Sequence, residues 1–253
     1  MTDLYKDFSK VYDECEVSDY SISFGNAMLD YLNRMHNNET FKKNLDICCG
    51  TGTLCNFFKD NGIETKGVDI SKEMLDIARD KYSDIEFIEC DVMKYQDDGT
   101  YDFVTSTDGA MSHLVDASDL RKVFRNVNNL LRVNGLFIFD INYFQLISFE
   151  KRDKSLDDYR RLTYHLKRDG KIITYNVEYY EENELLWKGK VLERDYSIEE
   201  ITQILNEEGF ALELCSQHFL NEKRCKKWKI VAKKIEWIYI SFFFEFTRKL
   251  YLK

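Results

Sequence analysis

Between residues 44 and 142, short apolar runs alternate with amphipathic stretches, and this beat constrains the fold more than any other feature of the chain. Residues 44–49 read as a buried strand running into a glycine bend, and a helix follows over 54–59. Strands are expected at 65–69 and 85–90, separated by a helix that Ser71 caps and that Met74, Leu75 and Ala78 anchor. A strand at 101–106, a helix over 117–133 closed by Asn134 and Gly135, and an apolar strand at 136–140 continue the series. Apolar strands joined through helices must pair in parallel, and right-handed crossovers then place helices on both faces of one sheet. The expected fold class is α/β: a doubly wound, mostly parallel seven-stranded sheet, preceded by a helix over 17–38 whose Tyr20, Phe24, Met28, Leu29, Leu32 and Met35 recur at three- and four-residue spacings.

The beat breaks after residue 150. Residues 171–180 and 184–196 flank the turn-like Glu181, Glu182 and Asn183 and predict an antiparallel hairpin inserted over the sheet. A helix at 198–208 and strands near 211–215 and 226–233 return to the main sheet. Four regions result: leading helices and the alternating core over 1–150, an antiparallel insertion over 151–197, a closing helix and hairpin over 198–234, and an aromatic tail over 235–253. The tail carries twelve large apolar side chains, among them Trp237, Phe242, Phe243, Phe244 and Phe246. Glu236, Glu245, Arg248 and Lys249 interrupt it well short of the roughly 20 apolar residues a bilayer span requires. It reads as a helix packed on its own domain or on a second copy, or as a peripheral membrane contact.

With 36 Lys and Arg against 45 Asp and Glu, the net charge of −9 repels phosphate backbones, so nucleic acid is not an expected partner. Seven cysteines, an odd number, and no apolar leader predict a reduced cytoplasmic protein. No proline is present, so Gly, Asn and Asp clusters alone mark the ends of elements. His218 between Cys215 and Cys225 lacks the paired spacing of a zinc site, and no metal is expected.

In an open parallel sheet, ligands bind beyond the strand C-termini, where the first strand turns into its helix. Gly50 and Gly52 occupy that turn; lacking Cβ atoms, they let a ligand approach the backbone. Asp69 lies 17 residues beyond Gly52, at the end of the second strand, where a carboxylate can accept both hydroxyls of a ribose. A dinucleotide fingerprint would place a third glycine at position 55, which is Cys55 here, and this disfavours a nicotinamide or flavin oxidoreductase.

These residues resemble the class I methyltransferases that use S-adenosylmethionine. The stretch 46–52, Asp-Ile-Cys-Cys-Gly-Thr-Gly, looks like the family's first motif; residues 67–75 resemble the second and 89–92 the third. Residues 101–104 through 112–114, and 134–142, are similar to the fourth and fifth strands with their loops. The segment 5–13, Tyr-Lys-Asp-Phe-Ser-Lys-Val-Tyr-Asp, is similar to the opening of the small-molecule branch, the members that decorate sugars and surface-polysaccharide precursors. Cys48 stands where the family usually has its first glycine, which implies a narrower turn. The resemblance implies that Asp46, Cys48, Gly50 and Gly52 hold the methionine portion and Asp69 the ribose. It further implies that Ile70 and Met74 sandwich the adenine while Asp91 and Val92 read its edge, and that Thr107 and Asp108 lie near the reacting methyl. The product would be S-adenosylhomocysteine.

A sulfonium methyl is already activated, so positioning supplies most of the rate, and a base is needed only where the acceptor must lose a proton. His113 is the candidate base and Tyr12 a lid contact. Arg160, Arg161, Lys188 and Arg194 suit a phosphorylated or nucleotide-linked acceptor, and Tyr164, Tyr180 and Trp187 can stack on a ring. The leading expectation is O-methylation of a sugar- or nucleotide-linked precursor, including a phosphoramidate group, in capsule polysaccharide biosynthesis. Its rivals are an N-methyltransferase of an amino-sugar nucleotide, which needs no strong base, and a catalytically idle cofactor-binding assembly protein.

Overall fold

The computed structural model describes residues 4–15, 17–37, 39–98, 100–144, 150–217 and 227–235. Two helices, α1 (Leu4–Tyr12) and α2 (Val17–Met35), precede the alternating core. The core runs β1 (Lys43–Ile47), α3 (Thr53–Asp60), β2 (Glu64–Asp69), α4 (Lys72–Lys81), β3 (Glu86–Glu89), β4 (Tyr101–Ser106), α5 (Ala117–Leu130) and β5 (Leu131–Asn142). Four strands form the insertion: β6 (Lys151–Ser155), β7 (Arg160–Asp169), β8 (Ile172–Glu181) and β9 (Glu184–Arg194). The chain then closes through α6 (Ile198–Glu207), β10 (Phe210–Ser216) and β11 (Lys227–Lys234).

The main sheet has seven strands in the order β10-β11-β5-β4-β1-β2-β3. Its β1, β2, β3, β4 and β5 pair in parallel, and β11 runs antiparallel between β5 and β10. Side chains of a strand alternate between faces, and β5 uses both. Leu136 and Ile138 pack with Phe24, Met28, Leu32 and Phe58 of α2 and α3. Phe137 and Phe139 meet Phe124 and Val127 of α5 and Leu205 of α6. Strands buried on both faces carry the continuous apolar runs visible in the sequence.

Two sequence expectations change. The helix expected to reach residue 133 stops at Leu130, and Asn134 and Gly135 lie inside β5. There Leu131 pairs with Tyr101 and Leu136 with Phe103, so the intervening residues bulge, with Asn134 at φ 62°. The insertion is a four-stranded antiparallel sheet, β6-β7-β8-β9, of which the expected hairpin is the second half. Charged residues on both faces of β6 and β7 hide their period of two. The expected turn is two residues, Glu182 and Asn183, both at positive φ (46° and 68°), the geometry that matches the twist of a hairpin. The inner face of the insertion packs Leu162, Val177, Tyr179 and Val191 against Tyr5, Phe8 and Val11 of α1. Residues 236–253, expected to dock or touch a membrane, lie outside the described residues, as do His218 and Cys225. Among the described residues no helix is long and apolar enough to cross a membrane.

Candidate active site

The C-terminal ends of β1, β2 and β4 open into a cavity of about 710 Å³, roofed by α1 and by the inner face of the insertion. Cys48 and Gly50 form its wall at the bend after β1; Asp69, Ile70 and Met74 line it after β2, Asp91 and Val92 after β3, and Thr107 and Asp108 after β4. Tyr12 and His113 also face it.

Cys48 and Gly50 both adopt positive φ, 55° each. Glycine takes that conformation freely, whereas an L side chain costs about 1–2 kcal/mol there, so Cys48 bends the chain under strain. A Cβ built on Gly50 would point at the Tyr12 ring, 3.6 Å away, on the cavity side of the bend. Asp69 braces this bend. Its Oδ2 accepts from Gly50 N at 2.9 Å and its Oδ1 from Ser71 N at 2.8 Å. Burial pushes the Asp69 carboxyl up, against the backbone donors that favour its charge. With four lone-pair sites and these donors satisfied, the carboxylate keeps acceptor capacity toward the cavity.

Asp46 and Gly52 do not line the cavity. The Asp46 side chain lies beneath the bend, where Oδ1 accepts from Thr105 Oγ1 at 2.8 Å and Oδ2 from the Cys55 thiol at 3.7 Å. The twofold period of β1 sends Leu45 and Ile47 to one face and Asn44 and Asp46 to the other, under α3. Gly52 is glycine for packing: at φ 78° it precedes α3, and a Cβ would meet the Phe87 ring at 2.6 Å.

A turn after β4 presents Asp108, which with Gly109 adopts positive φ. Asp140 of β5, fully buried, organises that turn by accepting from the backbone N–H of Asp108 (3.3 Å) and of Gly109, and from Tyr20 Oη. Asp108 in turn accepts from Tyr12 Oη at 3.4 Å and from Lys227 Nζ. Burial pulls the Lys227 ammonium down, but Asp108 and Asp140 outweigh it and the net shift is upward.

His113 sits at the end of a short 3₁₀ turn, Ala110–His113, with Tyr5 Oη 3.1 Å from Nε2 and Glu193 Oε1 3.9 Å from Nδ1. Burial raises the Glu193 carboxyl above its ordinary value, while His113 and the 2.7 Å bond from Asn142 Nδ2 favour its charge. Burial likewise pushes the Tyr5 and Tyr12 phenols up, so both stay neutral hydrogen-bonding groups.

Four carboxylates, Asp69, Asp91, Asp108 and Glu193, thus face the cavity against the cation Lys227 and the imidazole of His113. The basic residues expected to grip an anionic acceptor are elsewhere. Arg160 pairs with Glu14 and Asp157, Arg161 lies over the Tyr180 ring, and Arg194 pairs with Glu200; neither these three nor Lys188 lines the cavity. Of the expected stacking residues Tyr164 lines it, with Tyr175 beside it, whereas Trp187 stacks on Tyr179 at 5.4 Å and braces Phe8. Tyr5, Glu193 and Lys227 escaped the sequence reading. Glu193 had a signal, since it shares the buried phase of β9 with Val191; Lys227, in a lysine-rich run, had none.

Residues 45–135 match the family model described as a methyltransferase domain. A putative methyltransferase of Geobacillus is 32% identical over 105 residues, which is 40% of this chain and 42% of that protein. The chain spans about half the length of the curated relatives it matches. Among solved structures, an S-adenosylmethionine-dependent methyltransferase from Clostridium acetobutylicum superposes with a TM-score of 0.78 at 22% identity, covering 92% of this chain and 99% of that one. The sugar N-methyltransferase KedS8 from Streptoalloteichus superposes with a TM-score of 0.70 at 15% identity, covering 93% and 94%. At these identities the likeness is one of fold.

Proposed function

We propose that this chain, which carries a methyltransferase domain on a class I methyltransferase fold, uses S-adenosylmethionine to methylate a small polar acceptor, and that the acceptor atom is the amine of a sugar-like molecule. The observation that carries the reading is Asp69, a carboxylate with spare acceptor capacity set between the bare backbone of Gly50 and the apolar Ile70. That arrangement fits a nucleoside with a charged amino-acid tail: Gly50 leaves room for the tail and Asp69 receives the ribose hydroxyls. Ile70, 40% exposed although apolar, and Met74 and Val92 offer faces to a base whose exocyclic amine Asp91 accepts. Bound there, the cofactor supplies a methyl group activated on a sulfonium. The work left to the chain is orientation and exclusion of water, which α1 and the insertion perform by covering the cavity.

The excess of carboxylates supports the amine. Glu193, on the insertion side, attracts a protonated amine and can take up its proton, which frees the nitrogen lone pair to attack the methyl; it repels a phosphorylated acceptor, and Tyr164 and Tyr175 give a sugar ring apolar faces. KedS8, a sugar N-methyltransferase with the same fold, agrees with this choice. The O-methylation of a sugar- or nucleotide-linked precursor for surface polysaccharide is the second reading. It is favoured by the placement of His113 in the cavity lining, 3.9 Å from Glu193 and 3.1 Å from Tyr5 Oη, where a base for a hydroxyl acceptor would sit.

A panel of amino sugars and their hydroxyl counterparts, incubated with the methyl donor and read by mass for a gain of one methylene, tests the choice. Amino sugars are expected to react, with His113→Ala leaving turnover within about tenfold. Reaction of the hydroxyl sugars alone, with His113→Ala costing about 10²–10⁴-fold, establishes the second reading instead.

A further inference from the structure

Three consecutive residues after α1 are tied to two different walls of the cavity. Asp13 accepts through Oδ1 from Thr51 Oγ1 at 2.6 Å and from Ser18 Oγ at 2.9 Å, and through Oδ2 from Lys81 Nζ at 2.7 Å. Thr51 lies between Gly50 and Gly52 and is buried, so the first of these bonds joins the end of α1 to the glycine bend itself. Glu14 holds the Arg160 guanidinium through both oxygens, at 3.1 and 2.7 Å, and the Cys15 carbonyl accepts from Lys154 Nζ at 2.8 Å. Both of these partners belong to the insertion. Tyr12, one residue before Asp13, lies against Gly50 and donates to Asp108.

A nine-residue helix is too short to hold its own conformation, isolated helices needing about 12–15 residues. The order of α1 therefore depends on its tethers, at the bend through Asp13 and at the insertion through Glu14 and the apolar contacts of Phe8 and Val11. We propose that Asp13 is a positioning residue that couples the glycine bend to the lid, so that filling the bend side of the cavity seats Tyr5, Tyr12 and the insertion over the acceptor side. The inference rests on the functional reading above, because it takes S-adenosylhomocysteine as the ligand of the bend. Coupling is reciprocal: if ligand orders the lid through Asp13, loss of Asp13 weakens the ligand by the same factor.

Calorimetric titration and hydrogen exchange of the full chain with S-adenosylhomocysteine test this. In the unaltered chain the ligand should slow exchange at residues 48–53 and also at 4–15 and 160–194. In Asp13→Ala, protection at 48–53 is expected to stay, protection at 4–15 and 160–194 to vanish, and Kd to rise about tenfold. Thr51→Val, which removes the buried bond and leaves the carboxylate, should do the same and serves alone if Asp13→Ala fails to fold. Asp13→Asn, which keeps an acceptor for Thr51, should fall between. Protection of 4–15 that persists in the variants, or an unchanged Kd, overturns the proposal. Failure of the ligand to bind the unaltered chain overturns the functional reading as well, and the titration shows this before any variant is made.

Discussion

Asp46 bears a carboxyl beneath the glycine bend, sealed from water and held by Thr105 and the Cys55 thiol. Burial raises its pKa to about 7, with the nearby Asp69 charge adding to the shift. A carboxyl whose folded pKa lies above its unfolded value of about 3.9 binds protons more readily in the native state. Its contribution to stability is complete below pH 3.9 or so and is lost as pH rises through about 7. Asp46→Asn, which keeps an acceptor for Thr105, should flatten the fall in unfolding free energy between about pH 4 and 7 measured by urea titration. The slope should shrink without vanishing, because burial shifts Asp69, Asp140 and Glu193 in the same direction. An unchanged slope would contradict the assignment. Most of the cavity wall was legible from motif positions, Gly50, Asp69, Asp91 and Asp108 among them. Asp46, expected at the methionine portion, lies beneath the bend and outside the cavity lining; its motif position says nothing of which sheet face it takes, while the period of two in β1 does. Asp140 and Lys227 come from other strands: the parallel pairing of β4 with β5 brings Asp140 to Asp108, and the antiparallel pairing of β11 with β5 brings Lys227.

The helix over 72–81 was legible in the sequence through its Ser71 cap, whereas the helix expected at 198–208 has a Ser197 cap that the structure reveals. Ser71 and Ser197 each cap a helix, and at α6 the cap is reciprocal: Ser197 Oγ accepts from Glu200 N at 3.2 Å while Glu200 Oε2 accepts from Ser197 N at 3.1 Å. This box fixes a helix that buries Ile201, Ile204 and Leu205 in the core, away from the cavity. Ser197→Ala should therefore cost about 1 kcal/mol of stability, seen as a drop of about 2–4 °C in Tm, and leave S-adenosylhomocysteine affinity unchanged. A change in affinity would show that α6 communicates with the site. Where end signals mislead, competing interactions decide. Asn134 and Gly135 look like a helix stop, but Arg132 donates to Asp102 at 2.6 Å and Leu131 pairs with Tyr101, so the strand begins early and absorbs both residues as a bulge.

At the scale of the molecule, the sheet, α1 and the insertion enclose one cavity whose lining is richer in carboxylates than in cations. A net charge of −9 surrounds it, so the whole field favours cationic ligands over anionic ones. S-adenosylhomocysteine at about 100 times its Kd should stabilise the fold by about 2.7 kcal/mol and raise Tm, while NAD, whose fingerprint fails at Cys55, should leave Tm unmoved. Stabilisation by NAD alone would return the chain to the dinucleotide-binding class. The most direct test of the central claim is calorimetric titration of S-adenosylhomocysteine into the full chain and into Asp69→Ala. Saturable one-to-one binding, weakened about 10- to 100-fold by the substitution, is the expected result. Absence of binding, or binding that Asp69→Ala leaves intact, would contradict the claim that the β1 bend and Asp69 form the nucleoside site.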